Sequence, residues 1–272
     1  MPQVLTGEFA FGELGHLIPS GGGAFDPSDL SNYAMDLDYS ALGLSNGDLI
    51  ATVEDLSNNN NDANQSNGTY KQTFRTNVIN GKSVARPEGT ASYMIAADAS
   101  SLRPTTGFSI FMVIRTPGSF TASRTLWNKF DYNTQNAIAI QINSSSGDII
   151  VYLASSLTDG AANHGVTATG VLAANTNYLL EFHYDGGGAT NADKLHCVVN
   201  GVDKTFTWTG NAPTSIPNSS APVGLGVLYS GGSPANSYSG IVDHGRTIYY
   251  TSVKTGTDRT NCRTFLNDLF GL

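Results

Sequence analysis

Charge is scarce in this chain. Only 13% of its 272 residues are Asp, Glu, Lys or Arg, and acidic groups outnumber basic ones 22 to 14, for a net charge of −8. Phosphate contacts need clustered Lys and Arg, so nucleic-acid binding is excluded. No apolar run is long enough to cross a bilayer. The first residues lack the basic region and continuous apolar stretch of a signal peptide, so export by that route is not expected. Cysteine is limited to Cys197 and Cys262. Each falls on the apolar face of its predicted element, which suits two buried free thiols rather than a disulfide framework.

Paired carboxylates are also missing. The five glutamates are Glu8, Glu13, Glu54, Glu88 and Glu181, and none forms a Glu-x-Asp-x-x-Glu pattern. A glycosidase must flank one bond with two carboxyl groups about 5–10 Å apart. Asp36 and Asp38 share a strand face, but an Asp-Leu-Asp in a loop-rich entry segment is expected to be solvated. Gly43, Ser45 and Gly47 fit Gly-x-Ser-x-Gly. That elbow works between a strand and a helix of an α/β sheet, so here it reads as a surface turn. The histidines are scattered. His183 and His196 are placed on neighbouring strands and read as surface residues rather than zinc ligands. The chain is therefore not expected to be an enzyme.

Glycine, by contrast, is abundant at 30 residues. With frequent Asn, Ser and Thr, this is the composition of a turn-rich β domain. The clearest local signal is at residues 195–208. Asn200-Gly201 suits a two-residue type I′ turn, because both central residues need positive φ. That turn sets Val199 opposite Val202, Cys197 opposite Lys204 and Leu195 opposite Phe206 on an apolar face. His196, Val198, Asp203, Thr205 and Thr207 take the other face. Residues 108–116 are apolar on both faces and predict a central strand. Strands are also expected over 49–56, 137–142, 149–153, 178–184, 223–229 and 247–251. In 223–229, Val223, Leu225, Val227 and Tyr229 should share one face. Cys262, Phe265, Leu266 and Leu269 form a helical stripe, with Thr257 or Asp258 as the cap and Gly271 as the stop. Asp26 should cap a short turn that has Pro27 at its first position.

Residues 1–24 differ from the rest. Val4, Leu5, Phe9, Phe11, Leu14, Leu17 and Ile18 fit neither helix nor strand, and Gly21-Gly22-Gly23 reads as a linker. So apolar an arm should pack against a neighbouring subunit. The predicted organisation is an anchoring arm and linker at 1–24, followed by one domain at 25–272.

The order of segments in that domain resembles the concanavalin A-like, laminin-G-like jelly rolls of many bacteriophage and bacterial proteins. Residues 25–30 are similar to the family's opening. Residues 53–63 are similar to its Asp-x-Ser-Gly-Asn-x-Asn-Asp-Ala segment, with Asn58 in place of the glycine and Val53 in place of a preceding Trp. Residues 108–113 look like its central strand. Tyr184-Asp185-Gly186 with Val199-Asn200-Gly201 resembles its paired strands, and 265–272 its closing helix. The resemblance implies an all-β, antiparallel two-sheet jelly-roll sandwich, with an extended N-terminal arm and a short C-terminal helix. It does not by itself imply a function.

Two binding chemistries remain. Asp55, Asn59 and Asn61 alternate oxygen ligands as calcium loops do, although an Asn-rich turn bonding its own backbone explains them as well. No other cofactor is expected. Among the aromatics Trp127, Tyr132, Tyr152, Trp208, Tyr229 and Tyr238, a sugar site is sought where an aromatic face adjoins Asn or Asp. Trp127 with Asn128, and Tyr229 with Tyr238, fit that rule. The leading expectation is a bacteriophage virion structural protein: a decoration protein, head fibre or tail adhesin whose jelly roll is displayed outward. Its partners would be capsid or tail proteins and copies of itself. The alternative is an adhesin for a host surface glycan, and a glycanase comes third.

Overall fold

The computed structural model describes residues 25–272, apart from 89–90, 122, 133, 144–145, 160–162, 168 and 236–241. The arm at 1–24 and Tyr238 lie outside the described residues. In chain order the strands are β1 (Tyr33–Asp38), β2 (Thr52–Val53), β3 (Ala63–Asn64), β4 (Thr73–Ile79), β5 (Lys82–Arg86), β6 (Met94–Ala96) and β7 (Gly107–Arg115). Then follow β8 (Arg124–Tyr132), β9 (Gln135–Ile142), β10 (Ile149–Leu153), β11 (His164–Thr167) and β12 (Asn177–Asp185). After the short helix α1 (Asn191–Lys194) come β13 (Leu195–Val199), β14 (Val202–Lys204), β15 (Phe206–Thr209), β16 (Val223–Leu225), β17 (Leu228–Ser230), β18 (Ser233–Ala235) and β19 (Asp243–Tyr250). Helix α2 (Gly256–Phe270) closes the chain.

The strands form two sheets. The first runs β14-β13-β12-β7-β19-β5-β4, with β1 also on β19. The second runs β15-β11-β10-β9-β8-β16-β6-β3-β2, with β17 and β18 beside β8. Pairing is antiparallel except between β17 and β8. This is the two-sheet sandwich that the sequence implies.

Strand β7 shows why its sequence is apolar throughout. Phe108, Ile110, Met112 and Ile114 face the second sheet, while Phe111 and Val113 face α2. The first sheet is thus covered on both sides, so its central strand cannot alternate. Against its outer face α2 buries Cys262, Leu266 and Phe270, each side chain contributing about 1.5–3 kcal/mol. The helix starts after Thr255, earlier than the caps Thr257 and Asp258 read from sequence, and Thr255 makes no side-chain cap bond. At the other end Asn80 donates to the carbonyls of Phe270 and Gly271 at 3.0 and 2.7 Å. Both thiols are buried and unbridged.

Three expectations are corrected. Residues 49–56 form only the two-residue β2 plus isolated bridges at Leu49 and Asp55. Residues 223–229 are not one strand. Gly226, at φ 79°, breaks them into β16 and β17, and this left-handed backbone suits glycine. Val223 and Leu225 therefore face the inter-sheet core, whereas Val227 and Tyr229 pack with Tyr93 in a separate cluster. Asp36 and Asp38 are not solvated. Both are buried, and Arg246 donates to Asp36 at 2.8 and 2.5 Å and to Asp38 at 3.1 Å, with Phe265 beneath the guanidinium. The charge that sequence position suggested was free is locked in an ion pair.

Candidate functional site

The Asn200-Gly201 hairpin turns as its residues dictate, with φ of 48° and 78°. Val199 pairs with Val202 and Cys197 with Lys204. The ladder then ends. Thr205 separates β14 from β15, and Phe206 pairs with Thr167 and Trp208 with Gly165 on β11 of the other sheet. The pairing of Leu195 with Phe206 is replaced by this crossover. One continuous stretch, 202–209, thus edges both sheets in turn.

The crossover leaves an open cleft of about 810 Å3 at the edge of the sandwich. Phe206 and Trp208 are half-buried in it, their rings 6.0 Å apart and nearly perpendicular, and buried Leu195 adjoins them. A Cβ at position 165 would lie 2.9 Å from the Phe206 ring, so Gly165 is what lets that ring lie against β11. Thr190, Asn191, Lys194, Asn211, Lys204 and Thr205 line the rest. Asn191 accepts from the Ala212 N–H at 2.9 Å, and Lys194 donates to the Ala212 carbonyl at 2.9 Å. These two bonds hold residues 210–212 beside the rings. Thr190 caps α1 in a reciprocal arrangement with Asp193. At the rim His196 lies 3.8 Å from Asp203, and Arg259 lies 3.5 Å from the same carboxylate.

Inward from that rim, under α2, the first sheet is sealed. Glu181, on β12, is buried under α2. Its Oε1 accepts from Arg263 at 2.6 Å, and its Oε2 from Arg263 at 3.0 Å and Arg259 at 3.2 Å. Burial acts to raise the Glu181 pKa, but bonds from His183 and Arg263 outweigh it and hold the carboxyl below its usual range. His183 is buried, not on the surface as its sequence suggested. Its Nε2 donates to Glu181 at 3.2 Å, and its Nδ1 accepts from Ser109 at 2.9 Å. The roles follow because the ionised Glu181 carboxylate can only accept, so Nε2 carries the hydrogen and Nδ1 of the neutral ring accepts from the Ser109 hydroxyl, whose oxygen also accepts from the Lys254 N–H at 2.7 Å. A serine, a histidine and a carboxylate in a row resemble a nucleophile relay. Here α2 covers all three, and two arginines already neutralise the acid.

The residues named from sequence are spread across the molecule. Trp127 is fully buried between the sheets, tilted against Tyr249 at 5.1 Å. Neighbouring Asn128 is also buried and donates to the carbonyls of Gly224 and Val227. Tyr229 is 7% exposed, so it too offers no open face. Asp55 accepts from the backbone of Asp36, Ser57 and Asn61, while Asn59 and Asn61 donate to the carbonyls of Tyr33 and Ala34. These bonds form a turn that uses its own polar groups. Ser45 lies in an exposed turn closed onto Asp48. Among the described residues no group of three or more His, Cys, Asp or Glu is placed to hold a metal.

Trp208 was among the aromatics singled out, but its partners were not. Phe206 read as a core residue facing Leu195. Asn191, Lys194 and Asn211 carried no local motif. The missing signal is the crossover itself. Val202, Lys204, Phe206 and Trp208 keep period two across Thr205, so the pattern does not register the change of sheet.

No family model and no curated protein matches this chain. Solved structures do. The binding domain of Paraclostridial Mosquitocidal Protein 1 is similar with a TM-score of 0.58 at 14% identity, over 90% of this chain and 53% of that one. The ligand binding domain of botulinum neurotoxin serotype D, in complex with N-acetylneuraminic acid, has a TM-score of 0.58 at 10% identity, over 88% of this chain and 53% of that one. Trypanosoma rangeli sialidase, in complex with sialic acid, has a TM-score of 0.56 at 12% identity, over 93% of this chain and 35% of that one. The chain spans about half of the toxin chains and a third of the sialidase. The likeness is one of fold, an all-β sandwich.

Proposed function

We propose that this chain is a carbohydrate-binding domain and that the cleft beside Trp208 is its sugar site. One observation carries the reading. Phe206 and Trp208 are held half-buried and accessible in an open cleft, with amides and hydroxyls of Thr190, Asn191, Thr205 and Asn211 beside them. A pyranose has an apolar face that stacks on an aromatic ring and hydroxyls that need such partners. Two of the similar structures are named with a bound sialic acid, which supports the same class of ligand. A glycan array probed with the intact chain, followed by titration of the best glycan, tests the reading. Trp208→Ala should weaken binding at least about tenfold, or roughly 1.4 kcal/mol, with the fold retained. Trp127→Ala instead should unfold a fraction of the protein. Absence of binding to any glycan, or unchanged binding by Trp208→Ala, would overturn the assignment.

The same reading takes the chain as a binder without catalysis. New reducing ends after incubation with a bound glycan would contradict that. The setting that suits it best is a virion surface, with the apolar residues of 1–24 as anchor to capsid or tail proteins. Normal incorporation into particles after deletion of 1–23 would remove that setting while leaving the sugar site untouched.

A further inference from the structure

The cleft reverses the charge of the molecule around it. The chain is acidic overall at −8, yet two of its lysines, Lys194 and Lys204, line this one cleft. Asp203 is the only carboxylate among the lining residues, and Arg259 at 3.5 Å answers its charge. Lys194 spends one donor on the Ala212 carbonyl and keeps two. Lys204 is half-buried beside the aromatic pair and makes no hydrogen bond or ion pair among the described residues. Two ammonium groups elsewhere in the chain are used internally, whereas Lys71 and Lys82, like Lys204, have no partner among the described residues but lie outside the cleft. Lys129 is buried against Asp98 and the Ala221 carbonyl, both at 2.7 Å, and Lys254 bonds the Ser31 carbonyl at 2.6 Å.

Lys204 packs its stem in the cleft while its ammonium stays open to solvent and free of any protein partner among the described residues. The same group beside a stacking surface recognises an anionic substituent on the stacked ring. Resting on the carbohydrate reading above, we infer that the cleft selects acidic sugars, carboxylated or sulfated, and that Lys204 is the residue that contacts the anionic group. Trp208 supplies contact area to any pyranose, and Lys204 supplies the preference.

The experiment uses the intact chain on an array that carries neutral, sialylated, uronic-acid and sulfated glycans. Acidic glycans should dominate, with at least about tenfold preference over their neutral counterparts at low salt. Raising the salt to about 0.5 M should narrow the gap, since the contact is partly solvent-exposed. Lys204→Gln should lose most of the preference for acidic over neutral glycans. Circular dichroism of the same variant checks that the fold is retained. Lys82→Gln, on the β4–β5 hairpin and outside the cleft lining, serves as the charge control. Binding led by neutral glycans, or equal loss in both lysine variants, overturns the inference and leaves the sugar site standing. Binding to no glycan overturns both. Whether carboxylated or sulfated glycans lead tells which anion the cleft fits best, and either supports the assignment.

Discussion

His183 and His196 sit opposite each other on β12 and β13, yet their surroundings are opposite in kind. His183 is sealed under α2. Burial pushes its pKa down, partly offset by Glu181, and every polar atom near it is bonded. His196 stands at the rim of an open cleft with Asp203, whose side chain is 64% exposed. Both neighbourhoods combine an imidazole, a carboxylate and cationic side chains. In the sealed one the arginines meet the carboxylate at 2.6–3.2 Å, so the charges hold α2 to the sheet. In the open one the distances are 3.5 and 3.8 Å, and Lys204 is left unpaired. Residue type does not separate scaffold from site here. Pairing and access do.

Breaking the sealed network should have the largest effect on stability. Glu181→Ala leaves two arginines facing a buried void and is expected to cost about 4 kcal/mol in urea unfolding. Asp203→Ala, in the open counterpart, should cost about 0.5 kcal/mol or less. Similar losses from the two would erase the distinction between them.

Acid should then undermine the interior rather than the cleft. His244 is fully buried, neither ring nitrogen has a hydrogen-bond partner, and burial lowers its pKa to about 4. An unfolded histidine titrates near 6.5, so between these values only the unfolded chain takes up the proton. Stability should be full above pH 6.5 and fall by about 3 kcal/mol on the way to pH 4. Urea midpoints across that range measure it, and His244→Leu should flatten the slope. A wild-type midpoint that did not move would mean His244 is hydrated.

The smallest effect on glycan binding concerns the turn that precedes the cleft. Asn200 holds a positive φ and accepts from the Leu179 N–H at 2.8 Å. Asn200→Ala should cost about 1–2 kcal/mol through the left-handed backbone and the lost bond. Glycan binding should stay within about twofold, because β15 is held by β11 rather than by the turn. A larger loss of binding would tie the cleft to the hairpin and not to the second sheet.

Much of the fold was legible. Alternating runs placed β9, β10, β12 and β13, a run apolar on both faces placed β7, and the 262–269 stripe placed α2. The break at Gly226 was not legible, because alternation continues through it in the letters while the backbone turns the side chains over. The site was legible only as a single aromatic, Trp208. Trp127 and Asn128 spell a stronger sugar motif in the sequence, yet both are buried core.

By itself the sequence determined the all-β class, the type I′ turn at Asn200-Gly201, the doubly covered central strand and the closing helix. These depend on neighbours in the chain, where φ preference and alternation act directly. Only the tertiary structure decided that 202–209 changes sheets, that Asp36, Asp38, Glu181 and His183 are sealed, and that Lys204 is not. Those outcomes depend on which strand comes alongside and on what α2 covers. No local pattern carries that information, since a buried pair and an exposed one are spelled with the same residues.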